Sequence, residues 1–389
     1  MKKKYLYTDW MADFHCVGAE CPKTCCGKWN IAIKKEEIDK YKELAQRHPF
    51  GEKILEALDE ERGCMKQCHG RCALLTEEGW CKIVLECGEE HLSGTCTTFP
   101  RMIQEFGDVL ECTVEIACPI VAEYLFDNKR IGFCLDEIDD GTEEKPQQID
   151  LELYDALSLA RSFLIDLFQE YDASCSAGKV YILFSAVQAV RDMHGKGELS
   201  RQGMQDWLSQ WDERGIAAVM GGVEPIMKRE ELKAVQILRL GELLISSHAL
   251  EYILSDLEDS TLKEDVIRWI GGIDDFKDKL REFCHWRDEH YALALENYFV
   301  YALFREWIPH RMNMARFGKT FFIRIVMWCI IQLCALPVWE RQGEVTVKEY
   351  ALLVMGIERA LSHSEPILDE LVRVLEDENS IAKILLYLI

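Results

Sequence analysis

Apolar residues recur at helical spacing through most of the chain after residue 150. The first apolar stripe consists of Leu153, Ala156, Leu157, Ala160, Phe163, Leu164 and Leu167. Segments with the same period follow at 177–196, 229–257, 277–307, 317–336, 346–363 and 366–388. This spacing predicts roughly seven to nine helices. We therefore expect residues 151–389 to form an all-α domain.

The first 135 residues follow a different pattern, in which short elements alternate with tight turns. A polar, helix-like segment runs from Lys34 to Glu60, between two cysteine-rich stretches. Apolar and polar residues alternate at Trp29–Ile33 and Val109–Ile116, which indicates a small hairpin. We predict a cysteine-rich N-terminal domain at 1–135 with little β structure.

Between these two regions, residues 136–150 are acidic and have no apolar period. They contain Gly141 and Pro146, residues that interrupt regular structure. The pattern predicts a linker, so the expected fold class is mainly α, with an irregular metal-binding module joined to a helical body.

Composition narrows the classes of function. The chain has 389 residues and a net charge of −23, and its one basic block is Lys2-Lys3-Lys4. Phosphate binding depends mainly on Lys and Arg, so nucleic acid is not an expected partner. The first residues carry no secretory signal, which predicts a cytoplasmic protein. The longest apolar run, Ile325–Trp339, is shorter than the ~20 residues of a membrane span and predicts a buried core helix.

Seventeen cysteines are the most unusual feature of this composition. Twelve of them lie between Cys16 and Cys118. In a reducing compartment, such clustering favours metal ligation over a disulfide framework. The other five are scattered, as expected of small buried hydrophobic residues.

The densest motif is Cys16-x4-Cys21-x3-Cys25-Cys26, which places four thiols on one short loop. Further thiols follow at Cys72, Cys81, Cys96 and Cys118. Four thiolates suit either zinc or an iron–sulfur cluster. The paired C-x2-C knuckles typical of zinc sites are absent from the sequence. We therefore favour an iron–sulfur cluster, with structural zinc and reduced cysteines without metal as alternatives.

A second cysteine series, Cys64-x3-Cys68-x3-Cys72, has the spacing of one helix face. We expect these thiols to lie on one helix. They could form a second metal centre, act as redox-active thiols, or be surplus cysteines without a role. His15 and His69 adjoin cysteines and are alternative ligands, although a hydrogen-bonded or surface histidine is more common.

Several of these motifs resemble the flagellin lysine N-methylase family. The matching residues are Cys16, Cys21, Cys25-Cys26 and Trp29, then Cys72-Ala-Leu-Leu, Trp80-Cys81-Lys-Ile83, Leu92 with Cys96-x2-Phe-Pro-Arg, and Gly107-Asp108 with Cys118-Pro119. The helical segment from Glu296 to Phe304 and the apolar helix after Lys319 fit the same family. The family shares its C-x3-C-C signature with small zinc- or iron-chelating proteins.

The resemblance implies methyl transfer from S-adenosylmethionine to flagellin lysines, assisted by a [4Fe-4S] cluster. The ligands it implies are Cys16, Cys21, Cys25, Cys26, Cys72, Cys81, Cys96 and Cys118. We expect four ligands to come from Cys21, Cys25, Cys26, Cys81 and Cys96. An alternative of another class is a non-catalytic zinc- or iron-binding, or redox-sensing, interaction module.

No familiar motif for the methyl donor is present in the sequence. The C-x3-C-x2-C run of radical S-adenosylmethionine enzymes and the glycine-rich turn of Rossmann-type methyltransferases are both missing. Tyr291 and Tyr298 share a helix face and are candidates to line a catalytic pocket, with aromatic core packing as the alternative. Arg101 is a candidate for binding a carboxylate, with a salt bridge as the alternative.

Overall fold

The computed structural model describes residues 2–27, 31–139, 149–171, 176–227, 260–270, 273–314 and 317–362. Its strands are β1 (Lys2–Thr8), β2 (Leu58–Asp59), β3 (Cys64–Met65), β4 (Gln67–Cys68), β5 (Arg71–Cys72), β6 (Arg101–Phe106), β7 (Val109–Val114) and β8 (Phe133–Asp139). Its short helices in the first half are α1 (Asp9–Asp13), α2 (Lys35–Arg47), α3 (Gly51–Glu56), α4 (Lys82–Cys87), α5 (Gly94–Thr98) and α6 (Pro119–Glu123).

The helical body follows from residue 151. Its helices are α7 (Leu151–Glu170), α8 (Ser176–Lys196), α9 (Arg201–Leu208), α10 (Glu213–Met227), α11 (Ser260–Ile270), α12 (Ile273–His290), α13 (Ala294–Glu306), α14 (Lys319–Gln342) and α15 (Val347–Ser362). The predicted fold class, a cysteine-rich N-terminal region followed by a mostly helical body, is confirmed. The predicted helices at 229–257 and 366–388 lie outside the described residues.

Helix α7 shows why the periodic pattern was informative. Asp150 caps its first turn by accepting a hydrogen bond from the backbone N–H of Leu153 at 3.0 Å. The predicted stripe faces inward, with Leu157, Ala160 and Leu164 fully buried. Three of the described helices, α9, α10 and α11, were not predicted.

The N-terminal region contains a four-stranded mixed sheet. Its strand order is β6-β7-β1-β8, with β1 parallel to β7 and antiparallel to β8. The predicted strand at Val109–Ile116 is β7, which forms a hairpin with β6. The pattern at Trp29–Ile33 yields only an isolated bridge between Ala32 and Cys64, and residues 28–30 lie outside the described part of the chain.

The segment between α1 and β6 forms a small module with its own core. Its buried members include Ile31, Ile33, Ile38, Tyr41, Phe50, Ile54, Leu58, Met65, Leu74 and Ile83. The expectation that Cys64, Cys68 and Cys72 lie on one helix is wrong. They occupy three short strands, because the chain reverses at His69 and Gly70, whose positive φ angles interrupt a right-handed helix.

The sheet and the helical body share one large core. Trp10 of α1 stacks on Tyr301 of α13 with a centroid distance of 5.9 Å. Strand β8 extends to Asp139, into the predicted linker, and residues 140–148 are outside the described ranges. The division into domains at 1–135 and 151–389 stays a prediction.

Helix α14 contains the longest apolar run. Its segment Ile323–Gln342 is long and apolar enough to cross a membrane, yet 83% of its most apolar window is buried inside the protein. The predicted buried core helix at Ile325–Trp339 is therefore confirmed.

Candidate metal centre

The first cysteine loop follows α1 and is shaped by local hydrogen bonds. A single 3₁₀ turn at Gly18–Glu20 ends where the Cys21 N–H donates to the Gly18 carbonyl at 3.2 Å. The Cys21 thiol donates to the Lys23 carbonyl at 3.3 Å, and the Cys26 N–H donates to the Thr24 hydroxyl at 3.1 Å. The thiols of this loop are therefore held by a compact turn.

Arg359 of α15 connects this loop to the helical body through hydrogen bonds. Its Nη1 and Nη2 donate to the carbonyls of Thr24 and Lys23, both at 3.3 Å, and its Nε donates to the Ala117 carbonyl at 3.0 Å. The residue after Ala117 is Cys118, which precedes the first turn of α6. One guanidinium thus holds the loop thiols beside a thiol that lies far away in sequence.

The small module presents the remaining predicted ligands. The Cys72 N–H donates to the Cys26 carbonyl at 2.7 Å, and Gly27 forms a bridge with Arg71. A Cβ on Gly27 would overlap the carbonyl oxygen of Gly70, so the two backbones approach closely only because this residue is glycine. The end of the first loop is therefore joined to the module.

The N-terminal ends of helices α4 and α5 position two further thiols. Cys81 precedes α4 and pairs with Leu75 through an isolated bridge. Cys96 lies in α5, and its N–H donates to the Ser93 hydroxyl, the N-cap, at 3.3 Å. Both thiols are partly buried against the core of the module.

Four cysteines are related to one another in the small module, since Cys72 is hydrogen-bonded to Cys26 and Cys72, Cys81 and Cys96 pack on one core. The pKa of Cys96 is raised to about 11, first by burial and then by the charges of Cys26, Cys72 and Cys81. Burial also raises the pKa of Cys72 to about 11, and the charges of Cys26, Cys81 and Cys68 contribute. We call Cys26, Cys72, Cys81 and Cys96 the module tetrad.

A second set of neighbours lies at the loop. Burial raises the pKa of Cys118, and the charges of Cys21 and Cys16 raise it further. The Cys25 pKa is raised by a hydrogen bond with Cys26 and by burial, and then by neighbours that include Cys118 and Cys16. We call Cys16, Cys21, Cys25 and Cys118 the loop tetrad.

The eight cysteines singled out by the sequence therefore fall into two neighbouring groups. The five expected to supply a cluster, Cys21, Cys25, Cys26, Cys81 and Cys96, are divided between both tetrads. Cys25 and Cys26 connect the groups, and the Cys26 charge also reaches Cys21. Within the described residues, no three Cys, His, Asp or Glu side chains already form a metal shell.

The donor atoms fit a thiolate-ligated centre, and one nearby group points to the same conclusion. Tyr41 is 4% exposed, and its hydroxyl has no hydrogen-bond partner among the described residues. After burial, the charges of Cys96, Glu37, Cys81 and Cys72 are the main influences that raise its pKa. A buried hydroxyl without a partner is costly, so a bound sulfur acceptor beside it would satisfy a donor that the protein alone does not.

A cavity of about 280 Å³ adjoins the loop tetrad. Cys21 lines it, together with the cationic residues Lys23, Arg71 and Arg359 and the carboxylate of Glu78. Hydrogen bonds from the Glu78 backbone and the Thr76 side chain lower the pKa of Glu78. The cavity therefore presents both signs of charge beside a thiol.

The other predicted site residues lie elsewhere. Tyr298 is fully buried and donates to the Arg324 carbonyl at 3.1 Å, while Tyr291 donates to the Val345 carbonyl at 2.7 Å. Arg101 lies over the Phe14 ring, 5.1 Å from its centroid. The structure places none of these three candidates at the cavity.

Sequence reasoning missed Arg71, Glu78 and Arg359. Arg71 and Glu78 lie close to Cys72 and Cys81 in sequence, so their position beside ligands was a usable signal. Arg359 carries no such signal, because only the packing of α15 against α6 brings it to the loop.

Comparison with known proteins matches a family model and several relatives. A family model described as the FliB lysine N-methylase C-terminal domain matches residues 161–387. The lysine-N-methylases of Salmonella typhimurium and Salmonella choleraesuis are each 27% identical over 125 residues, covering 30% of this chain and 30% of the relative. The flagellar biosynthetic protein FliU of Salmonella muenchen is 27% identical over 125 residues, which cover 30% of this chain and 72% of FliU.

These alignments therefore span less than a third of either full-length lysine-N-methylase. No solved structure matches the chain.

Proposed function

This chain belongs to the FliB lysine N-methylase family, and we propose that it transfers methyl groups from S-adenosylmethionine to lysine ε-amino groups of flagellin. The observation that carries this proposal is the family match over residues 161–387. The flagellar name of one relative supports flagellin as the substrate. We place the reaction in the cytoplasm, where cysteine thiols stay reduced.

The cavity beside Cys21 is the proposed donor site. Its volume of about 280 Å³ is close to the roughly 300 Å³ at which small-molecule pockets begin, so it would hold part of the donor. S-adenosylmethionine carries a carboxylate and a sulfonium. Arg71 would bind the carboxylate through its planar guanidinium, and the Glu78 carboxylate would attract the cationic part.

The tetrad cysteines would hold the metal centre. When bound there, an iron–sulfur cluster would supply an iron atom able to accept the amino and carboxylate groups of the donor. Zinc is the alternative metal, because it accepts the same thiolate ligands. Arg359 holds the loop carbonyls beside these thiols and so positions the cavity wall.

The overall reaction breaks the S–CH₃ bond of the donor and forms an N–CH₃ bond on lysine. The donor leaves as S-adenosylhomocysteine, and the lysine ammonium releases one proton to solvent. The ammonium must lose this proton to become a nucleophile.

The test is methyl transfer to purified flagellin by protein isolated without oxygen, with labelled S-adenosylmethionine and mass spectrometry of the flagellin lysines. We expect donor-dependent methylation that Arg71→Gln reduces at least tenfold. Arg62→Gln is the matched control, because Arg62 is an 82% exposed side chain of the same module that does not line the cavity. Absence of transfer by protein with full metal content would exclude the proposal and favour a non-catalytic metal-binding module.

A further inference from the structure

The cavity beside Cys21 matches only the polar end of S-adenosylmethionine. Among the described residues that line it, none is aromatic, and the charged ones are Lys23, Arg71, Glu78 and Arg359. Its volume of about 280 Å³ lies below the roughly 300 Å³ at which small-molecule pockets begin. Such pockets are lined mostly by apolar and aromatic side chains. The flat adenine of the donor therefore needs a surface at the rim of the cavity.

The indole of Trp80 lies at this rim. Trp80 is 47% exposed, and among the strongly exposed large apolar side chains of the described chain only Trp80 and Tyr181 are aromatic. A Cβ on Gly18 would lie 3.2 Å from Cζ3 of the Trp80 ring, and Gly18 itself lines the cavity. The ring thus contacts the cavity wall while much of its surface faces solvent.

A closed turn from Thr76 to Trp80 holds the indole in place. The Thr76 N–H donates to the Trp80 carbonyl at 2.9 Å, and the Trp80 N–H donates to the Thr76 hydroxyl at 3.1 Å. The Gly79 N–H donates to the Thr76 carbonyl at 3.2 Å, and its φ of 94° is one that favours glycine. The backbone that carries the ring is therefore ordered before a ligand arrives, which lowers the entropy cost of binding.

The same turn carries or contacts the groups proposed to bind the rest of the donor. Glu78 belongs to the turn and lines the cavity. Arg71 Nη2 donates to the Thr76 carbonyl at 3.4 Å, and a Cβ on Gly79 would lie 4.0 Å from that nitrogen. One wall thus offers a guanidinium, a carboxylate and an aromatic ring. These are partners for a carboxylate, a sulfonium and a purine.

We propose that Trp80 binds the adenine of S-adenosylmethionine by stacking its indole on the purine. The proposal rests on the proposed function, from which it takes the donor and its cavity. An indole face also attracts an ammonium group such as that of a substrate lysine. The purine is the better match, because it is the part of the donor for which the described cavity lining offers no aromatic surface.

The experiment compares two ligands by calorimetry on full-length protein isolated without oxygen. S-adenosylmethionine carries the base, whereas S-methylmethionine keeps the carboxylate and the sulfonium but lacks the adenosyl group. We expect Trp80→Leu to weaken binding of S-adenosylmethionine about tenfold, as loss of one base–aromatic stack does. Competition by S-methylmethionine should be unchanged, and Trp80→Phe should restore most of the donor affinity.

Tyr181→Leu is the matched control, because Tyr181 is a 42% exposed aromatic residue of α8 that does not line the cavity. Metal content is measured in every variant, since Trp80 precedes Cys81. A readout on wild-type protein needs no variant to fold. In hydroxyl-radical footprinting, saturating S-adenosylmethionine should protect Trp80 and leave Tyr181 unchanged, whereas S-methylmethionine should protect neither.

Three results would overturn the proposal. The first is unchanged donor affinity in Trp80→Leu with wild-type metal content. The second is equal weakening of both ligands, which would show that the indole only supports the cavity wall. The third is a raised KM for flagellin with an unchanged donor Kd, which would place the indole against the substrate lysine.

These binding readouts do not depend on methyl transfer. Donor binding that requires Trp80, without methylation of flagellin, would contradict the proposed function alone. Methylation by protein whose donor affinity is independent of Trp80 would contradict this inference alone.

Discussion

The backbone N–H of Cys72 donates to the carbonyl oxygen of Cys26 at 2.7 Å, which joins the two cysteine-rich stretches of the chain. This bond lies next to the bridge between Gly27 and Arg71. Thiols that are far apart in sequence become neighbours at this point, and the cavity lined by Arg71 opens beside it.

Gly27→Ala should disrupt this junction, because the added Cβ would overlap the Gly70 carbonyl oxygen. Overpacking of this kind typically costs about 1–3 kcal/mol. We expect a lower urea midpoint for the metal-free protein and reduced metal content after reconstitution. Gly195→Ala is the control, since nothing lies within 4 Å of a Cβ there. Equal stability of Gly27→Ala and wild type would show that the two backbones are less closely packed.

Arg359→Lys should loosen the first cysteine loop. A lysine cannot reproduce donation to the Lys23, Thr24 and Ala117 carbonyls, because it lacks the planar fork of the guanidinium. We expect a loss of about 2 kcal/mol, in the range for hydrogen bonds that involve a charged group. Hydrogen exchange should speed up in the peptide that contains the loop. Arg281→Lys, at a 46% exposed side chain, should leave that peptide unchanged.

Tyr41→Phe should not destabilise the metal-free protein, because the lost hydroxyl has no partner among the described residues. Removal of a buried unsatisfied group is neutral or favourable by up to about 1 kcal/mol. In metal-loaded protein, we expect a more negative reduction potential in a spectroscopic redox titration, since a hydrogen-bond donor to sulfur is lost. An unchanged potential would place Tyr41 away from the centre.

Tyr154→Phe is the matched comparison for Tyr41→Phe. Its hydroxyl donates to Glu111 at 2.8 Å, so the same chemical change should destabilise the protein by roughly 1 kcal/mol in urea unfolding.

Glu111→Leu should destabilise the contact between strand β7 of the sheet and helix α7 of the helical body. Its carboxylate receives two hydrogen bonds of 2.6 Å from Arg161, and both side chains are 5% exposed. Removal of one partner leaves a buried unpaired charge, which typically costs about 3–5 kcal/mol. The double variant Glu111→Leu/Arg161→Leu should recover much of this loss in urea unfolding. A double variant as unstable as the sum of the two single variants would show that the residues do not interact.

Local patterns accounted for much of the helical body. The stripe from Leu153 to Leu167 predicted α7, because a helix that packs on a core must repeat apolar residues with its own period. The same reasoning failed for Cys64, Cys68 and Cys72, whose helical spacing is interrupted by the turn at His69 and Gly70. Strand β1, with its sequence KKKYLYT, was missed because it pairs with residues more than a hundred positions away.

The sequence by itself determined which residue types are available for chemistry, since eight clustered thiols in a chain that needs no crosslinks indicate metal ligation. It also determined the helical character of much of the chain after residue 150, through the apolar period of segments such as Leu153–Leu167. Only the tertiary structure decided how the thiols divide, because the hydrogen bond between Cys72 and Cys26 and the contact of Arg359 with the loop join residues with no local relationship. The tertiary structure also decided where Tyr298 and Arg101 lie, because the burial and the contacts of a side chain depend on how distant elements pack.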